Sequence, residues 1–330
     1  MNAGGQMYIT NHINIMKISS DEVTASGFLD YDNIDISWDL NKVCQYRCSY
    51  CFVDLVKRDG TDTNGAFRSV LKRLRLKKTP SFNMTILGGE PTLHPEFKYI
   101  IKDLASNNKC LRLGIVTNLA RQIDYYTDIF TTNKVHILAS YHPEYVKLDV
   151  FKNKCQKAAS MCKNFKCSVN LHHNKIYWNS TTNLIDYLIS QNIDFALNIL
   201  YDTYTGDGVL YNYTDEFYKT FSEYNRYFSG DEYFPIMGGA SPDIEIPYST
   251  SSSTLDVGIK EIREKELHKF QNYNCTPRMI DIDHMGVFRN SCTNEIIRLT
   301  ADNFVKCIKC PVDSGCKCIE MLCYYKTKTI

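Results

Sequence analysis

Six short apolar runs, each separated from the next by a stretch of helical periodicity, constrain this chain more than any other feature. The runs fall at 34–40, 82–87, 111–117, 135–141, 166–172 and 194–200. Helical spacing occupies 64–78, 95–107, 121–130, 148–163 and 180–191 between them. Such alternation implies parallel β/α units with right-handed crossovers, and so an α/β fold. The runs are mostly short and apolar, which predicts strands buried on both faces. In the fourth helix Val150, Phe151, Cys155, Ala158 and Met161 fall near one face. Ser180, Thr181, Thr182 and Asn183 open the fifth with residues of N-cap type. Six units suit either an open doubly wound sheet or a partial barrel, and periodicity alone does not choose.

The loop leaving the first strand carries Cys44-Gln-Tyr-Arg-Cys48-Ser-Tyr-Cys51, a C-x3-C-x2-C spacing. A structural zinc site wants four closed ligands, and this loop offers three. A [4Fe–4S] cluster on three thiolates would keep one iron open for a further ligand. The position suits a ligand site, because parallel β/α folds bind at the carboxyl ends of their strands. Other strand ends on that rim carry Gly88-Gly89-Glu90-Pro91, Thr117-Asn118, Ser140 to Pro143, Asn170 and His172-His173. The two glycines allow close backbone approach, and Glu90 is suited to accept from an ammonium group. Tyr141 and His142 are candidates to line the substrate side, while His172 and His173 read as structural histidines.

The chain holds 14 cysteines. Cys110, Cys155, Cys162 and Cys167 are scattered and read as small buried hydrophobes. Cys275, Cys292, Cys307, Cys310, Cys316, Cys318 and Cys323 crowd the end and suggest a second metal region. Ile280, Ile282 and a turn at His284-Met285-Gly286 read as a hairpin bringing Cys275 and Cys292 together. A structural zinc knuckle on Cys307, Cys310, Cys316 and Cys318 is the alternative.

Lys+Arg 38 against Asp+Glu 37 leaves a net charge of +1, which argues for neither a nucleic-acid nor a membrane partner. The basic run from Arg68 to Lys78 reads as a solvated helix face. No stretch approaches the roughly 20 apolar residues of a membrane span, and the N-terminus has no signal-peptide pattern. A cytoplasmic location follows, where a disulfide framework is not expected.

The cysteine loop with its aromatic Tyr50, followed after the second strand by Gly-Gly-Glu-Pro, resembles the radical S-adenosylmethionine (radical SAM) superfamily over residues 34–200. The resemblance implies a partial (β/α)6 TIM-type barrel. It also implies that Cys44, Cys48 and Cys51 hold a [4Fe–4S] cluster whose open iron takes the methionine end of SAM. Gly88, Gly89 and Glu90 would bind the methionine amino end, and the main chain of Tyr50 would meet adenine. Ser140 and Asn170 fall where such enzymes contact ribose or carboxylate. The implied chemistry is reductive cleavage of SAM to methionine and a 5′-deoxyadenosyl radical, which abstracts hydrogen from the substrate. A cover that excludes water and oxygen is expected over the barrel mouth.

The tail resembles the SPASM and twitch auxiliary-cluster extensions of that superfamily, with Cys275, Gly286, Cys292 and Cys307-x2-Cys310-x5-Cys316 in SPASM order. Its Cys292–Cys307 gap is short, and Cys316-x-Cys318 replaces a wider spacing. One or two auxiliary [4Fe–4S] clusters are implied. The expected organisation is a lead-in over 1–33, a core over 34–200, a bridge over 201–274 and the iron–sulfur tail over 275–330. The bridge either helps cover the site or merely connects; the run Ser249–Thr254 reads as a loop, a helix is expected over 214–228 and another over 258–270, and an early strand near Met7–Thr10. Such extensions point to oxidative modification or crosslinking of a peptide or protein, with an electron donor such as flavodoxin or ferredoxin. The short lead-in leaves little room for leader recognition, which keeps a sugar or nucleotide substrate as the alternative. A non-catalytic zinc or iron–sulfur interaction module is the reading of another class.

Overall fold

The computed structural model describes residues 34–51, 65–77, 79–130, 132–202, 209–210, 213–227, 279–290 and 296–297, with short strands at 23–26, 245–250, 254–258, 274–275, 308–309 and 326–327. All six expected strands form: β1 (Ile34–Asn41), β2 (Phe82–Gly88), β3 (Cys110–Thr117), β4 (Val135–Tyr141), β5 (Phe165–Leu171) and β6 (Phe195–Ile199). They pair in sequence order and all in parallel. The helices are α1 (Ala66–Leu74), α2 (Phe97–Ser106), α3 (Thr127–Phe130), α4 (Leu148–Met161), α5 (Trp178–Ser190) and α6 (Asp215–Phe221).

Register shows which face the helices cover. The rung Trp38–Ile86–Ile115–Ile137–Phe165 runs across five strands and is buried throughout. The next rung towards the strand starts, Ser37–Thr85–Gly114–His136, belongs to the other face and is half-buried. Strands buried on both faces were expected, and the structure corrects this. One face packs under helices and the other is polar and partly open, which is barrel-type rather than doubly wound construction.

Helix stripes explain that packing. α1 buries Phe67, Val70, Leu71 and Leu74, a one-sided spacing. Its basic residues Arg68, Lys72 and Arg75 are exposed, the solvated face the charge run implied, and Arg75 pairs with Asp103 of α2 at 2.9 Å. α4 buries only Phe151, Cys155 and Ala158, whereas Val150 and Met161 are exposed, so its apolar stripe is narrower than expected. α5 starts two residues earlier than the cap types suggested. Asn174 caps a lead-in 3-10 turn over Lys175–Tyr177, and Ser180 and Thr181 instead donate back to the Tyr177 carbonyl at 2.8 Å each. The stretch at 121–130 divides into a 3-10 turn, Ile123–Tyr126, and the short α3.

α6, capped by the Thr214 side chain, is followed by a 3-10 turn over Ser222–Tyr227. It lays Phe217 and Phe221 against Trp178 of α5, at 5.5 and 6.3 Å between ring centres. This part of the bridge therefore joins the outer helical layer, while Tyr213 just before it ties to the strand ends, donating to Leu171 O at 2.7 Å and accepting from Leu200 N at 2.9 Å. The Ser249–Thr254 run is strand at both ends: Glu245–Thr250 and Thr254–Gly258 pair antiparallel. The strand near Met7–Thr10 lies outside the described residues, as do positions 259–270 of the expected 258–270 helix.

The tail hairpin forms as β7 (Met279–Ile282) and β8 (Phe288–Asn290), paired antiparallel. β7 then adds in parallel to the edge of β1, giving an eight-stranded sheet of order β8-β7-β1-β2-β3-β4-β5-β6. Ile280, Ile282 and Phe288 are buried in the same core as the barrel strands. The hairpin does not carry Cys275. That residue ends a separate strand, Asn274–Cys275, in a second sheet whose described members include 23–26, 245–250, 308–309 and 326–327. No described helix is long and apolar enough to cross a membrane.

Gly286 holds the hairpin on α1. Its φ is +73°, and an added Cβ would lie 3.1 Å from Val70 Cγ2. Gly286→Ala should lower unfolding stability by about 1–2 kcal/mol through left-handed strain and crowding. Met285→Ala, at a neighbouring exposed side chain, should stay within about 0.5 kcal/mol. Denaturant titration of the two variants checks the difference.

Candidate functional site at the strand ends

The cysteine loop begins where β1 ends, and main-chain bonds lock it to the turn after β2. Gly89 N donates to Asn41 O at 2.8 Å, and Glu90 N donates to Val43 O at 2.7 Å. Buried Asn41 completes the seam: its Oδ1 accepts from Val43 N at 2.9 Å, and its Nδ2 donates to Glu90 O at 3.2 Å. Two glycines permit this closeness. A Cβ on Gly88 (φ +129°) would lie 2.4 Å from Asn41 O, and one on Gly89 would lie 2.4 Å from Val43 O. The glycines expected to admit a ligand thus first admit the cysteine loop itself.

Glu90 is 1% exposed, and protein donors fill its carboxylate. Oε1 accepts from Thr92 N (3.1 Å), Thr92 Oγ1 (2.5 Å) and Thr117 Oγ1 (2.7 Å), and Oε2 accepts from Asn118 N (2.7 Å). Burial pushes its pKa up, and those donors pull against it. The side chain therefore does a structural task, tying the turn after β2 to the end of β3. Asn118 carries the link onward: its Oδ1 accepts from Gln45 Nε2 at 2.8 Å, and its Nδ2 lies 3.8 Å from Cys44 Sγ.

On the other side of the loop, Cys48 and Tyr50 are buried against the residues after β4 and β5. His142 Nδ1 lies 3.0 Å from Tyr50 Oη and 3.3 Å from Cys48 Sγ. The Tyr50 hydroxyl also interacts with the side chains of Cys48 and Asn170, and Asn170 Nδ2 donates to Tyr141 O at 3.1 Å. Glu144 accepts from Ser49 N at 2.9 Å and from Ser49 Oγ. His172 Nε2 meets Glu144 Oε1 at 3.0 Å. His172 Nδ1 accepts from Asn174 N at 2.9 Å, so its proton sits on Nε2 and the ring donates to Glu144. His172 is structural, as its sequence reading held.

Burial lowers the His142 pKa to about 4, against the pull of Glu144, so the ring is neutral at pH 7. Burial works to raise the Glu144 carboxyl; the Ser49 hydroxyl and N–H, with His172, overcome it and leave it below the usual carboxylate range. Burial also pushes the Cys48 thiol up to about 12, with the Tyr50 hydrogen bond opposing and Glu144 and the neighbouring thiols reinforcing.

The structure therefore brings Cys44, Cys48, Cys51, Tyr50, Gly88, Gly89, Glu90 and Asn170 to one rim. Ser140 lies half-buried on the polar face, in register with Ser168. Tyr141 does not line the substrate side; it is buried under the helices against Phe151 of α4, 5.1 Å between ring centres. Its odd position in the β4 alternation puts it there. Glu144, Ser49 and Gln45 were missed, because their partners lie up to 95 residues away and no local pattern marks them. Of the tail cysteines, only the backbone of Cys275 is described; Cys292, Cys307, Cys310, Cys316, Cys318 and Cys323 lie outside the described residues.

No three described Cys, His, Asp or Glu side chains converge on a point where one metal ion would sit. A cubane cluster takes its thiolates on different irons, so its ligands surround it rather than meet at one ion. Three cysteines without disulfides, with the Tyr46 N–H on the Cys44 sulfur and a ring nitrogen of His142 beside that of Cys48, suit that kind of centre.

Residues 40–150 match the family model described as "Radical SAM superfamily". The chain carries a radical SAM domain. Members of this superfamily are enzymes. GTP 3',8-cyclase of Klebsiella pneumoniae (strain 342) is 31% identical over 96 residues, covering 27% of this chain and 29% of that protein. The radical SAM domain also resembles solved structures in fold. SuiB of Streptococcus suis bound to precursor peptide SuiA gives a TM-score of 0.51 at 17% identity, covering 78% of this chain and 58% of SuiB. Native anSMEcpe with bound AdoMet and Kp18Cys peptide gives 0.50 at 15% identity, covering 80% and 75%. The chain thus spans less than a third of the curated relative and somewhat over half of SuiB.

Two measurements test the rim. Gly89→Ala should destabilise the cluster-free protein by about 1–3 kcal/mol, since backbone rather than a flexible side chain must give way; thermal unfolding reads it. In the folded cluster-free protein at pH 8, Cys48 should react with iodoacetamide at least about tenfold more slowly than in the unfolded chain. The raised thiol pKa leaves little thiolate there, so its labelling should speed up as pH rises towards 11. Peptide mass mapping follows both.

Proposed function

We propose that this protein is a radical SAM enzyme. Cys44, Cys48 and Cys51 would hold its [4Fe–4S] cluster, and SAM would take the remaining position. When bound, that pair supplies reductive cleavage of SAM and a 5′-deoxyadenosyl radical for hydrogen abstraction. The observation that carries the proposal is the cysteine loop locked by main-chain bonds to the Gly88–Glu90 turn on a strand-end rim. Tyr50 and Gly88, Gly89 and Glu90 would bind SAM through main chain, at the adenine and the methionine amino end. The Glu90 carboxylate keeps that turn and Asn118 in place. Ser140 and Asn170, on or beside the polar face of β4 and β5, would orient the ribose or carboxylate. Helices closing one side of the sheet keep water from that side of the rim.

The proposed substrate is a peptide or protein undergoing oxidative modification or crosslinking, in the cytoplasm, with flavodoxin or ferredoxin as donor. Support comes from SuiB and anSMEcpe, which share the fold and carry bound peptides. A nucleotide or sugar is the second reading, favoured by the local similarity to GTP 3',8-cyclase. We further propose that the tail cysteines hold one or two auxiliary clusters. In support, the strand Ile308–Lys309, flanked in sequence by Cys307 and Cys310, pairs with Asn274–Cys275.

Anaerobic reconstitution of the full chain tests this reading. The wild type should form 5′-deoxyadenosine from SAM under reduction, and Cys48→Ala should form none while losing about four iron atoms per chain. Equal iron and equal product in the two proteins would sink the proposal.

A further inference from the structure

The loop after β4 grips the cysteine loop at successive points. Tyr145 Oη donates to Arg47 O at 2.7 Å, and its ring stacks on Tyr46 at 5.0 Å. Glu144 holds Ser49 through both N–H and hydroxyl. His142 lies parallel to Tyr50, with 2° between the ring planes, and its Nδ1 sits between Tyr50 Oη at 3.0 Å and Cys48 Sγ at 3.3 Å. The first contacts are anchors, and Trp178 Nε1 braces them from behind by donating to His172 O at 2.9 Å. The last contact reaches a sulfur.

Given the reading that Cys48 ligates a cluster, we propose that His142 is a positioning residue that donates its Nδ1–H to the Cys48 sulfur and so sets how readily the centre takes up an electron. A ligating sulfur has lost its proton and can only accept. The groups of the described chain that reach it are the Tyr50 hydroxyl and His142 Nδ1. The imidazole supplies that N–H from Nδ1, 3.3 Å from the sulfur. The Tyr50 hydroxyl, 3.0 Å from the same Nδ1, holds the imidazole beside the sulfur. Hydrogen bonds to cluster sulfurs stabilise the more negative, reduced form, so this donor raises the reduction potential. Glu144 lies close enough to act on Cys48 electrostatically in the opposite sense.

The test uses the full chain, reconstituted anaerobically and titrated with dithionite under electron paramagnetic resonance. The signal followed is the one that Cys48→Ala abolishes. His142→Phe keeps an aromatic ring at the position and removes the N–H; His142→Gln restores an N–H donor. At a fixed poise, His142→Phe should raise the oxidised-to-reduced ratio about tenfold, a shift of about 59 mV to more negative potential for a one-electron couple. His142→Gln should recover part of that shift with wild-type iron content. A wild-type ratio in His142→Phe overturns the proposal, as does a shift in His142→Gln equal to that in His142→Phe. Should His142→Phe take up no iron, His142→Gln decides: restored iron and signal support the donor role, and loss in both overturns it. Failure of the underlying reading looks different, because Cys48→Ala would then keep the wild-type signal.

Discussion

Everything at the rim depends on backbone meeting backbone where residues 41–43 lie on residues 88–90. Main-chain bonds there make the cysteine loop an extension of the β1–β2 pairing rather than a free excursion. The contact is possible only because Gly88 and Gly89 lack a Cβ. Asn41 makes the seam specific: its amide satisfies one main-chain donor and one main-chain acceptor. With the first cysteine three residues beyond Asn41, that seam sets where the loop begins.

Two further networks hold the loop from opposite sides. Glu90 fixes Asn118, which reaches Gln45 and Cys44; Glu144 and His142 fix Ser49, Tyr50 and Cys48. Both rest on carboxylates surrounded by donors. Removing Glu90 would strand the buried N–H groups of Thr92 and Asn118, and removing Glu144 the buried ring N–H of His172, an expensive fault in a low-dielectric setting. The arrangement is therefore rigid before any cofactor binds, as a site that must orient a reactive group requires.

The polar face of the sheet follows from the same geometry. Alternation along each strand sends Trp38, Ile86, Ile115 and Ile137 to the helices and leaves Ser37, Thr85, Gly114 and His136 on the other side. Among the described residues, helices clad the apolar side, and the other side presents polar groups. The tail contributes as well, because β7 extends this sheet beside β1 and places Asp281 next to Ser37 in register.

Much of this was legible in the chain alone. Strand positions were readable to within a residue, because apolar spacing is a local property; helix ends were less so, since the 64–78 stretch ends at Leu74 and the 121–130 stretch divides into a 3-10 turn and a short helix. The cysteine spacing and the Gly-Gly-Glu turn were readable for the same reason: each lies within a few residues. Readings that needed a partner far along the chain failed. Tyr141 looked like a rim residue until the alternation of β4 buried it, and the Glu90 carboxylate looked available until Thr92, Thr117 and Asn118 filled it. Glu144 was invisible, since its meaning lies in Ser49 and His172. Sequence determined which elements form and which thiols stand together in one loop. Tertiary structure decided which face stays open, what holds the loop, and that His142 meets Cys48, because such contacts exist only once parallel strands bring their ends side by side.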